Sequence, residues 1–562
     1  MSRFNAASFL LASVFLVHAA PARAQTANLA ERLPADTFCY LYWHGASAIS
    51  PASRDALVAL WYDPGFAPAR ALIEENIESA LQRNPKAAHL PAHEVRALLE
   101  QPIIVGARLT APDPDEKTGA KSLVHGFMVV ERAGKAGRDL ISALASSDPK
   151  TAANMKITPA GFLVSAADVR TRNDLVARFS SAAAPATSLA GVAAYREAQA
   201  QSSGQPSLEF FLRFPALSEL HLANSPNFNW VAFLHALHAE RLHEAYGEIN
   251  LDAPSELARF SIMGDTSPGS VFDVFGANTP SFDALALAPA GSSLSVTRMD
   301  LPAFAADITA ALSAAMNPAQ MAKFKAAIDL FVSPVMPMLG GEYAVISKPA
   351  PDNADPPTSL IAMTIHSKAA NELFTSLLAA FVHPAGQEGP IVYYRTPPMP
   401  DFTAGVNPTP GQNPSGGNTP QKGGALKNSA TCPYFIALTP HLLLASKDEA
   451  LVRKTAHSVT SAAPLPPGLS AEPSFQAARA LMPAELSGLD FADFSNARWA
   501  DSLKPFSMVL EKQKDAKDAE NVAAFEKWLK SGGSAVIARH LHWLMIGSWK
   551  DPNGIHWRAD IN

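Results

Sequence analysis

A short stretch of the chain, Ile157-Thr158-Pro159-Ala160-Gly161-Phe162-Leu163-Val164-Ser165, occurs a second time as Leu438-Thr439-Pro440-His441-Leu442-Leu443-Leu444-Ala445-Ser446. The likeness continues for roughly forty residues at a nearly constant offset of about 280. In both copies the Thr-Pro strand is followed by an acidic turn and then by a predicted helix. A unit of this kind that occurs twice predicts that the chain contains two related folding units.

Four further pairs of segments keep the same order in both copies. They are 34–37 with 289–292, 122–144 with 359–381, Tyr195 with Phe475, and 261–269 with 544–554. The last pair reads in each copy as a strand that leads into a hairpin turn. Because chance resemblance does not preserve order along a chain, these matches predict an internal duplication.

Each copy reads as a strand, helices, a strand pair, a helix, a strand, further helices and a closing hairpin. The strand pairs are predicted at 102–109 with 122–131 and at 341–347 with 359–366. This order predicts an α+β fold of two tandem duplicated lobes, each a largely antiparallel sheet with helices packed on one face. With 562 residues the chain exceeds what one core usually supports, which favours repeats at 25–280 and 281–562.

Two local patterns refine this organisation. Residues 38–43 are apolar on both faces of the predicted first strand, as expected of an interior strand. Residues 396–429 are rich in Pro, Gly and Asn and have almost no apolar anchor. Such a segment cannot bury enough surface to offset its ordering entropy, so we predict a disordered insertion in a hairpin loop of the second repeat.

The composition is that of a globular protein, with 48% hydrophobic and 17% charged residues and a net charge of -6. Basic and acidic residues are interspersed along the chain. There is therefore no electrostatic footprint for nucleic acid or for an anionic membrane surface, and nucleic-acid binding is excluded as a predicted function.

The N-terminal residues predict export. Arg3 provides a positive charge, residues 9–17 form a short apolar core, and Ala22-Arg23-Ala24 is a small-x-small cleavage site. We therefore expect a signal peptide at 1–24, cleaved after Ala24, and a periplasmic or secreted mature protein. No later stretch approaches twenty uninterrupted apolar residues, so no transmembrane segment is predicted in the mature chain.

Cys39 and Cys432 are the two cysteines of the chain. An oxidising compartment permits a disulfide between them, although they sit at non-equivalent places in the two copies. Two separately buried thiols are the alternative. The sequence leaves both possibilities open.

Histidines give the strongest candidates for metal ligation. The segment 227–247 is predicted as one helix, and it contains His235, His238, Glu240, His243 and Glu244. His235 and His238 would share a face and could bind a divalent metal if another element supplied a carboxylate, but no H-E-x-x-H motif is present. His540 and His542 would lie on one side of a strand, without a visible third ligand. We therefore predict no metal or cofactor and interpret the first cluster as a solvated helix face.

Motifs of common enzymes are absent or misplaced. Ser147-x-x-Lys150 and Lys117-Thr118-Gly119 resemble two motifs of penicillin-interacting serine enzymes, but their order in the chain is reversed. The chain has no G-x-S-x-G, G-x-G-x-x-G, Walker or C-x-x-C motif. These absences favour a protein that is not an enzyme.

The opening Leu33-Pro34-Ala35-Asp36-Thr37 before an aromatic strand, the Thr158-Pro159 strand and the helix start at 189–195 resemble a bacterial extracytoplasmic family of unknown function. The resemblance implies an exported, two-lobed protein and transfers no catalytic residue. We predict a non-enzymatic envelope protein that binds a ligand or partner in the groove between its lobes. A hydrolase acting on an envelope or extracellular polymer is the alternative, and a metal-dependent protein using the 235–244 segment is a third hypothesis.

Overall fold

The structure is a computed structural model. It describes residues 29–46, 49, 53, 55–73, 75, 100–110, 123–131, 133–147, 149–181, 185, 187–202, 206–214, 228–251, 256–268, 271–327, 339–348, 358–365, 368–397, 433–461, 467–494, 520, 523–525 and 527–562. The predicted signal peptide, Cys432 and most of the predicted insertion lie outside these residues. Among the helices that the structure describes, none is long and apolar enough to cross a membrane.

Within the described residues, eighteen strands form the framework. They are β1 (Thr37–Trp43), β2 (Ile103–Thr110), β3 (Leu123–Val130), β4 (Met155–Ile157), β5 (Leu163–Ala166), β6 (Leu208–Arg213), β7 (Leu242–Ile249), β8 (Glu256–Gly264), β9 (Ser293–Arg298), β10 (Leu339–Lys348), β11 (Thr358–Ile365), β12 (His383–Glu388), β13 (Ile391–Arg395), β14 (Phe435–Leu438), β15 (Leu442–Ser446), β16 (Gly488–Asp493), β17 (Trp543–Asp551) and β18 (Gly554–Ile561).

The α-helices lie between these strands. They are α1 (Ala56–Tyr62), α2 (Gly134–Ser147), α3 (Pro149–Ala153), α4 (Val169–Ser180), α5 (Ala193–Gln199), α6 (Trp230–Ala236), α7 (Leu301–Ala315), α8 (Pro318–Ala327), α9 (Lys368–Phe381), α10 (Glu449–Thr460), α11 (Pro473–Arg479) and α12 (Ser534–Ala538). The N-termini of α4 and α10 are capped alike, because Asp168 and Asp448 each accept a hydrogen bond from the backbone N–H three residues on.

All eighteen strands belong to one continuous antiparallel sheet. Their spatial order is β4-β5-β3-β2-β1-β6-β7-β8-β18-β17-β16-β9-β10-β11-β15-β14-β13-β12. The predicted α+β class and antiparallel pairing are confirmed, and so are the strand pairs β2–β3 and β10–β11. The N-terminal and C-terminal halves of the chain meet where β8 pairs with β18.

One row of directly opposed residues crosses most of this sheet, and we call it the central row. From β5 to β15 it consists of Val164, Val129, Ile104, Tyr42, Glu209, Glu248, Arg259, Arg558, Gly547, Leu489, Val296, Ala344, Ala362 and Leu444. Directly opposed residues of paired strands point to the same face. The central row therefore defines one face of the sheet.

Helices cover both faces of the sheet, so the prediction of helices on one face is wrong. Val129 packs with Phe179 of α4, whereas its neighbour Val130 packs with Leu140 of α2. Successive residues of a strand point to opposite faces, so α2 and α4 lie on opposite sides. The physical reason is that interior strands with apolar residues on both faces need cover on both.

The two halves of the chain share one hydrophobic core. Trp61 and Phe66, which follow β1, are buried in the same cluster as Trp528 and Ile537, which precede β17. The rings of Phe66 and Trp528 meet edge to face at 5.5 Å. Burial on this scale across the two halves predicts that they unfold together.

A second contact between the halves joins α6 to the end of α7. The backbone N–H of Asn229 donates to Ala315 O at 2.8 Å, and Phe228 forms a β-bridge with Met316. Phe228, Trp230 and Phe233 pack ring against ring beside this bridge. Helical segments from one half thus contact those from the other here as well as in the shared core.

The closing hairpins differ between the two halves. In the second half, β17 and β18 form the predicted hairpin around Asp551–Gly554. In the first half, the segment 261–264 ends β8, and no hairpin follows it because β8 pairs with β7 and β18. The prediction of a hairpin at 267–269 is therefore wrong. β13 and β14 pair on either side of residues 396–434, so the hairpin predicted around this segment is confirmed, and its being a disordered insertion stays a prediction.

Candidate functional site

Three buried glutamates lie on the same face of β6 and β7. Glu209, Glu244 and Glu248 are 3%, 0% and 2% exposed. Glu209 is directly opposite Glu248, and Glu244 lies four residues before Glu248 on the same face. The short helix α5 covers this part of the sheet. Burial of a carboxylate is unfavourable unless it is paired, so the partners of each one are informative.

Glu209 has hydrogen-bond donors. Gln199 Nε2 donates to Glu209 Oε1 at 2.7 Å, and the Tyr40 hydroxyl donates to the same oxygen. Burial, followed by the charge of Glu209, raises the pKa of Tyr40 well above its usual value. Tyr40 therefore stays protonated and remains a donor at physiological pH.

Glu248 also has donors. The hydroxyls of Ser202 and Tyr246 donate to Glu248 Oε2 at 2.9 and 3.1 Å. Asn250 Nδ2 lies 3.4 Å from Glu248 Oε1. Burial, with smaller effects of Glu209 and Glu248, raises the pKa of Tyr246. Both central glutamates are thus parts of a hydrogen-bonded polar network.

Glu244 differs from both, since within the described residues no N–H group and no Ser, Thr or Tyr hydroxyl donates to either of its carboxylate oxygens. Its neighbours are the Glu197 carboxylate from α5 and the His243 imidazole, and one ligand atom of each of the three residues lies within 4.8 Å of the others. Arg213 is directly opposite on β6 but makes no hydrogen bond to Glu244. Burial, then the charge of Glu197 and a hydrogen bond with it, raises the pKa of Glu244 to about 7.

A β-bulge explains how His243 and Glu244 reach the same place. Leu242 is opposite Gly264 and Glu244 is opposite Met263, so the bulge falls at His243. In a regular strand, adjacent side chains point to opposite faces, and a bulge re-aims one of them. The position is held by a hydrogen bond from Phe214 N to His243 O at 2.9 Å.

Charged residues continue from this network to the junction of the two halves. Arg259 on β8 is directly opposite Arg558 on β18, with side chains 37% and 22% exposed. Arg558 Nη2 lies 3.0 Å from Asp560 Oδ1 and 3.5 Å from Glu256 Oε2, and Arg259 Nη2 lies 2.8 Å from the same Glu256 oxygen. Opposed like charges are destabilising in a sheet, and these acids offset that repulsion.

The helix predicted over 227–247 is wrong, and the histidines are spread accordingly. α6 ends at Ala236, His238 has a left-handed backbone conformation with φ 52°, and β7 begins at Leu242. His235 is exposed, and His238 Nδ1 lies 3.0 Å from Glu240 Oε1. A residue with positive φ interrupts a helix, so the stretch does not bring His235 and His238 to the buried glutamates.

His540 and His542 do not share a strand, because β17 begins at Trp543. His540 Nε2 lies 2.7 Å from Asp63 Oδ2, at the contact between the two halves. His542 is exposed, and its backbone pairs with Asn562. The prediction that these two imidazoles share one side of a strand is wrong.

Asp63 provides a testable charge contact between the halves. The hydrogen bond with His540 contributes most to lowering the pKa of Asp63, and Gly65 N–H and the charge of Arg539 add to it. Because the pKa of Asp63 is lowered in the folded protein, its ionised form stabilises the fold at pH values above the ordinary carboxyl pKa. This stabilisation is lost as the pH falls towards the pKa of Asp63 in the folded protein. Asp63→Asn should therefore lower the unfolding free energy at pH 7 by about 1 kcal/mol and have little effect near pH 2.

Urea unfolding at the two pH values measures this effect. Asp139→Asn is the control, because in the described part of the chain Asp139 makes only an exposed contact with Lys135 at 3.9 Å. An equal loss at both pH values would show that the charge of Asp63 is not what stabilises this contact.

The other predicted candidates lie apart from the glutamates. Ser147 ends α2 and Lys150 lies in α3, and 117–119 are outside the described residues. Cys39 lies half-buried in β1, and burial raises the pKa of its thiol. Its pairing with Cys432 stays a prediction.

An arginine-rich pocket of about 450 Å³ lies at the edge of β2 and α4. Arg108 Nη2 and Nη1 lie 2.7 Å from Asp36 and Asp174, and Arg178 Nε lies 3.1 Å from Asp174. These cations are already paired with acids inside the pocket. We interpret the cluster as a contact that holds α4 to the sheet.

No family model, curated protein or solved structure matches the chain. The family resemblance drawn from short motifs therefore stays a prediction. Inferences about function rest on the geometry of the polar residues.

Glu197, Glu209 and Glu248 are not among the candidate residues predicted from the sequence. A signal for two of the three buried glutamates was present, because Glu244, Tyr246 and Glu248 alternate with Ala245, Gly247 and Ile249. A period of two places such residues on one face of a strand. The helical interpretation of 227–247 concealed this pattern.

Proposed function

We propose that the chain is an exported, non-enzymatic protein, built by duplication of repeats at 25–280 and 281–562, that binds a ligand or partner at the junction of its halves. The strand order supports the duplication. The first half contributes β4-β5-β3-β2-β1-β6-β7-β8, and the second contributes β14-β15-β11-β10-β9-β16-β17-β18 in the reverse direction across the sheet. The hairpin β12–β13 is an addition to the second repeat.

The central row gives a residue-by-residue correspondence between the proposed repeats. Val164 corresponds to Leu444, at the offset of about 280 found in the sequence. Arg259 corresponds to Arg558, and these two are opposite each other. A pseudo-twofold axis between them would relate the halves. The Thr-Pro turn is one residue shorter in the second copy, because Thr158 N bonds to Phe162 O whereas Thr439 N bonds to Leu442 O.

This correspondence carries the functional proposal. In the first half the row contains Tyr42, Glu209 and Glu248, and the corresponding residues of the second half are Val296, Leu489 and Gly547. The same fold therefore forms with apolar or small residues at these positions. Buried polar groups that the architecture does not require are expected at functional sites.

The exposed end of this polar network lies at the junction. α5 packs on β7 and α11 packs on β17, and β8 and β18 lie between these two strands. Arg259 on β8 and Arg558 on β18 are partly exposed. Polar groups held in place by buried partners are suited to binding because little ordering is needed. Together with the predicted export, this favours an envelope polymer or protein as partner.

Co-sedimentation with isolated cell-envelope fractions tests the proposal. We expect the purified mature chain to sediment with them and Arg259→Gln to reduce the bound fraction at least threefold. Arg453→Gln is the matched control, because Arg453 is 31% exposed and also pairs with glutamates. Equal binding by both variants, or no binding by the wild type, would count against a junction site, provided that circular dichroism shows folded proteins.

The alternative, a hydrolase acting on an envelope polymer, is favoured by the adjacent carboxyl groups of Glu197 and Glu244. Carboxyl pairs act as acid and base in glycoside hydrolysis. Soluble fragments released during the same incubation, and absent with Glu244→Gln, would support the hydrolase instead.

A further inference from the structure

We propose that Glu197, His243 and Glu244 bind a divalent transition-metal ion, with Zn²⁺ as the representative cation. One carboxylate or imidazole ligand atom from each residue lies within 4.8 Å of the other two. The residues come from α5 and from the bulge in β7, so helix and strand would be joined through the ion. This proposal does not depend on the junction site.

The unpartnered state of Glu244 is the observation that points to a cation. The described part of the chain contains six buried carboxylates, and five have donors. The partnered ones are Asp55 (Leu57 N), Glu209 (Gln199), Glu248 (Ser202), Glu342 (Ala284 N) and Asp560 (Arg558). Glu244 is 0% exposed, and no N–H group and no Ser, Thr or Tyr hydroxyl donates to either of its oxygens. A metal ion would satisfy both, because buried charges are stable when paired or coordinated to metals.

The surroundings of Glu244 supply further ligands instead of donors. The Glu197 carboxylate would add a second negative charge beside a buried one, which is unfavourable unless the pair shares a proton or binds a cation. Arg213 on β6 is the nearest alternative partner by strand pairing, and it makes no bond to Glu244. The bulge at His243 brings an imidazole to the same side, where regular strand geometry would direct it away.

Comparison with the second half, which rests on the proposed duplication, shows that the fold does not need these ligands. The correspondence of β7 with β17 relates Glu244 to Trp543 and His243 to His542, and that of α5 with α11 relates Glu197 to Ala477. Trp543 is buried in the hydrophobic core there. An apolar pairing thus occupies the place where the first half has two carboxylates.

The donor set indicates the kind of metal. Imidazole favours Zn²⁺ and similar transition metals, whereas sites made only of carboxylate and carbonyl oxygens suit Ca²⁺ and Mg²⁺. Zn–N and Zn–O distances are about 2.0–2.2 Å, so ligand atoms need only small shifts from their present separation. Glu197 and His243 are exposed and free to make them. Three protein ligands leave a coordination position for water or a bound group.

Isothermal titration of the chelator-stripped, full mature chain with ZnCl₂ tests the site. We expect one Zn²⁺ per chain, at least 100-fold weaker binding by Glu244→Gln and at least 10-fold weaker binding by His243→Ala. The double variant His235→Ala/His238→Ala is the control, because these nearby histidines lie outside the cluster and should bind like the wild type. CaCl₂ should bind at least 100-fold more weakly than ZnCl₂.

Unimpaired Zn²⁺ binding by Glu244→Gln, or loss of binding in the His235/His238 double variant, would overturn the proposal. Absence of binding by the folded wild type would overturn it as well. Zn²⁺ should also raise the Tm of the wild type and not that of Glu244→Gln, which separates binding at this site from adsorption elsewhere. The titration contains no cell-envelope fraction, so a failure to bind Zn²⁺ does not count against the junction site. Likewise, a failure to co-sediment with envelope fractions does not count against the metal site.

Discussion

Replacing Glu244 with glutamine is expected to stabilise the metal-free protein at pH 8 by about 3 kcal/mol. The folded structure raises the pKa of this carboxyl from 4.5 to about 7. Below pH 4.5 the group is protonated in the folded and the unfolded chain, so it contributes no difference. As pH rises through this interval the unfolded chain ionises first, and above pH 7 the full penalty of a buried, unpaired carboxylate acts on the folded state. Glutamine removes that penalty.

The matched control is Glu248→Gln, which should change stability in the opposite direction. Glu248 uses both oxygens as acceptors for Ser202, Tyr246 and Asn250. Glutamine keeps one acceptor oxygen and places an amide donor against other donors, so we expect a loss of about 1–3 kcal/mol. Urea unfolding with chelator at pH 4.5 and pH 8 measures both variants. A destabilised Glu244→Gln protein at pH 8 would mean that Glu244 has a donor after all.

Replacing Trp528 with alanine should lower the unfolding free energy by about 3–5 kcal/mol, the range for removing a large aromatic side chain from a core. Trp528 is 9% exposed and packs against Phe66 from the other half of the chain. Its indole Nε1 also donates to Gly65 O at 3.3 Å. Because this core belongs to both halves, the variant should still unfold in a single transition at a lower temperature.

Calorimetry together with tryptophan fluorescence and circular dichroism tests this result. Trp230→Ala is the control, because Trp230 is 45% exposed in α6 and should cost less than about 1.5 kcal/mol. Two separate transitions in the wild type, or a loss limited to one half in Trp528→Ala, would show that the halves are independent domains.

Local patterns in the sequence predicted the strand pairs β2–β3 and β10–β11 and the hairpin of β13 and β14 around residues 396–434. Each depends on apolar runs separated by polar, Pro-rich or Gly-rich turns, and these signals are contained within a few tens of residues. The two similar Thr-Pro segments likewise predicted similar strand and helix starts, and Asp168 and Asp448 cap the N-termini of α4 and α10 in the same way.

The union of all strands into one sheet could not be predicted. It depends on β8 pairing with β18, two segments separated by about 300 residues, and no local signal specifies which edge strands meet. The apolar character of both faces of β1 did indicate two covered faces. The prediction of helices on one face was therefore wrong, although the apolar residues on both faces of β1 already indicated cover on both.

The candidate metal ligands also depend on contacts between distant segments. Glu197 comes from a short helix, and His243 and Glu244 come from a strand that was predicted as helix. Within that predicted helix, His235 and His238 were the prominent pair because helical spacing relates residues three and four apart. In the strand that forms instead, the period of two places Glu244 on the same face as Glu248. The bulge at His243 arises from the pairing with β8, which the sequence does not reveal.

The central claim is that the buried Glu244, together with Glu197 and His243, forms a cation-binding site that the second half lacks. Anomalous diffraction from crystals of the mature chain grown with Mn²⁺ or Zn²⁺ tests this claim most directly. We predict one anomalous peak between Glu197, His243 and Glu244, and none at the corresponding place beside Trp543. Absence of a peak among the three ligands would contradict the metal site, and a contact between Arg213 and Glu244 in that crystal structure would show what pairs with the buried carboxylate instead.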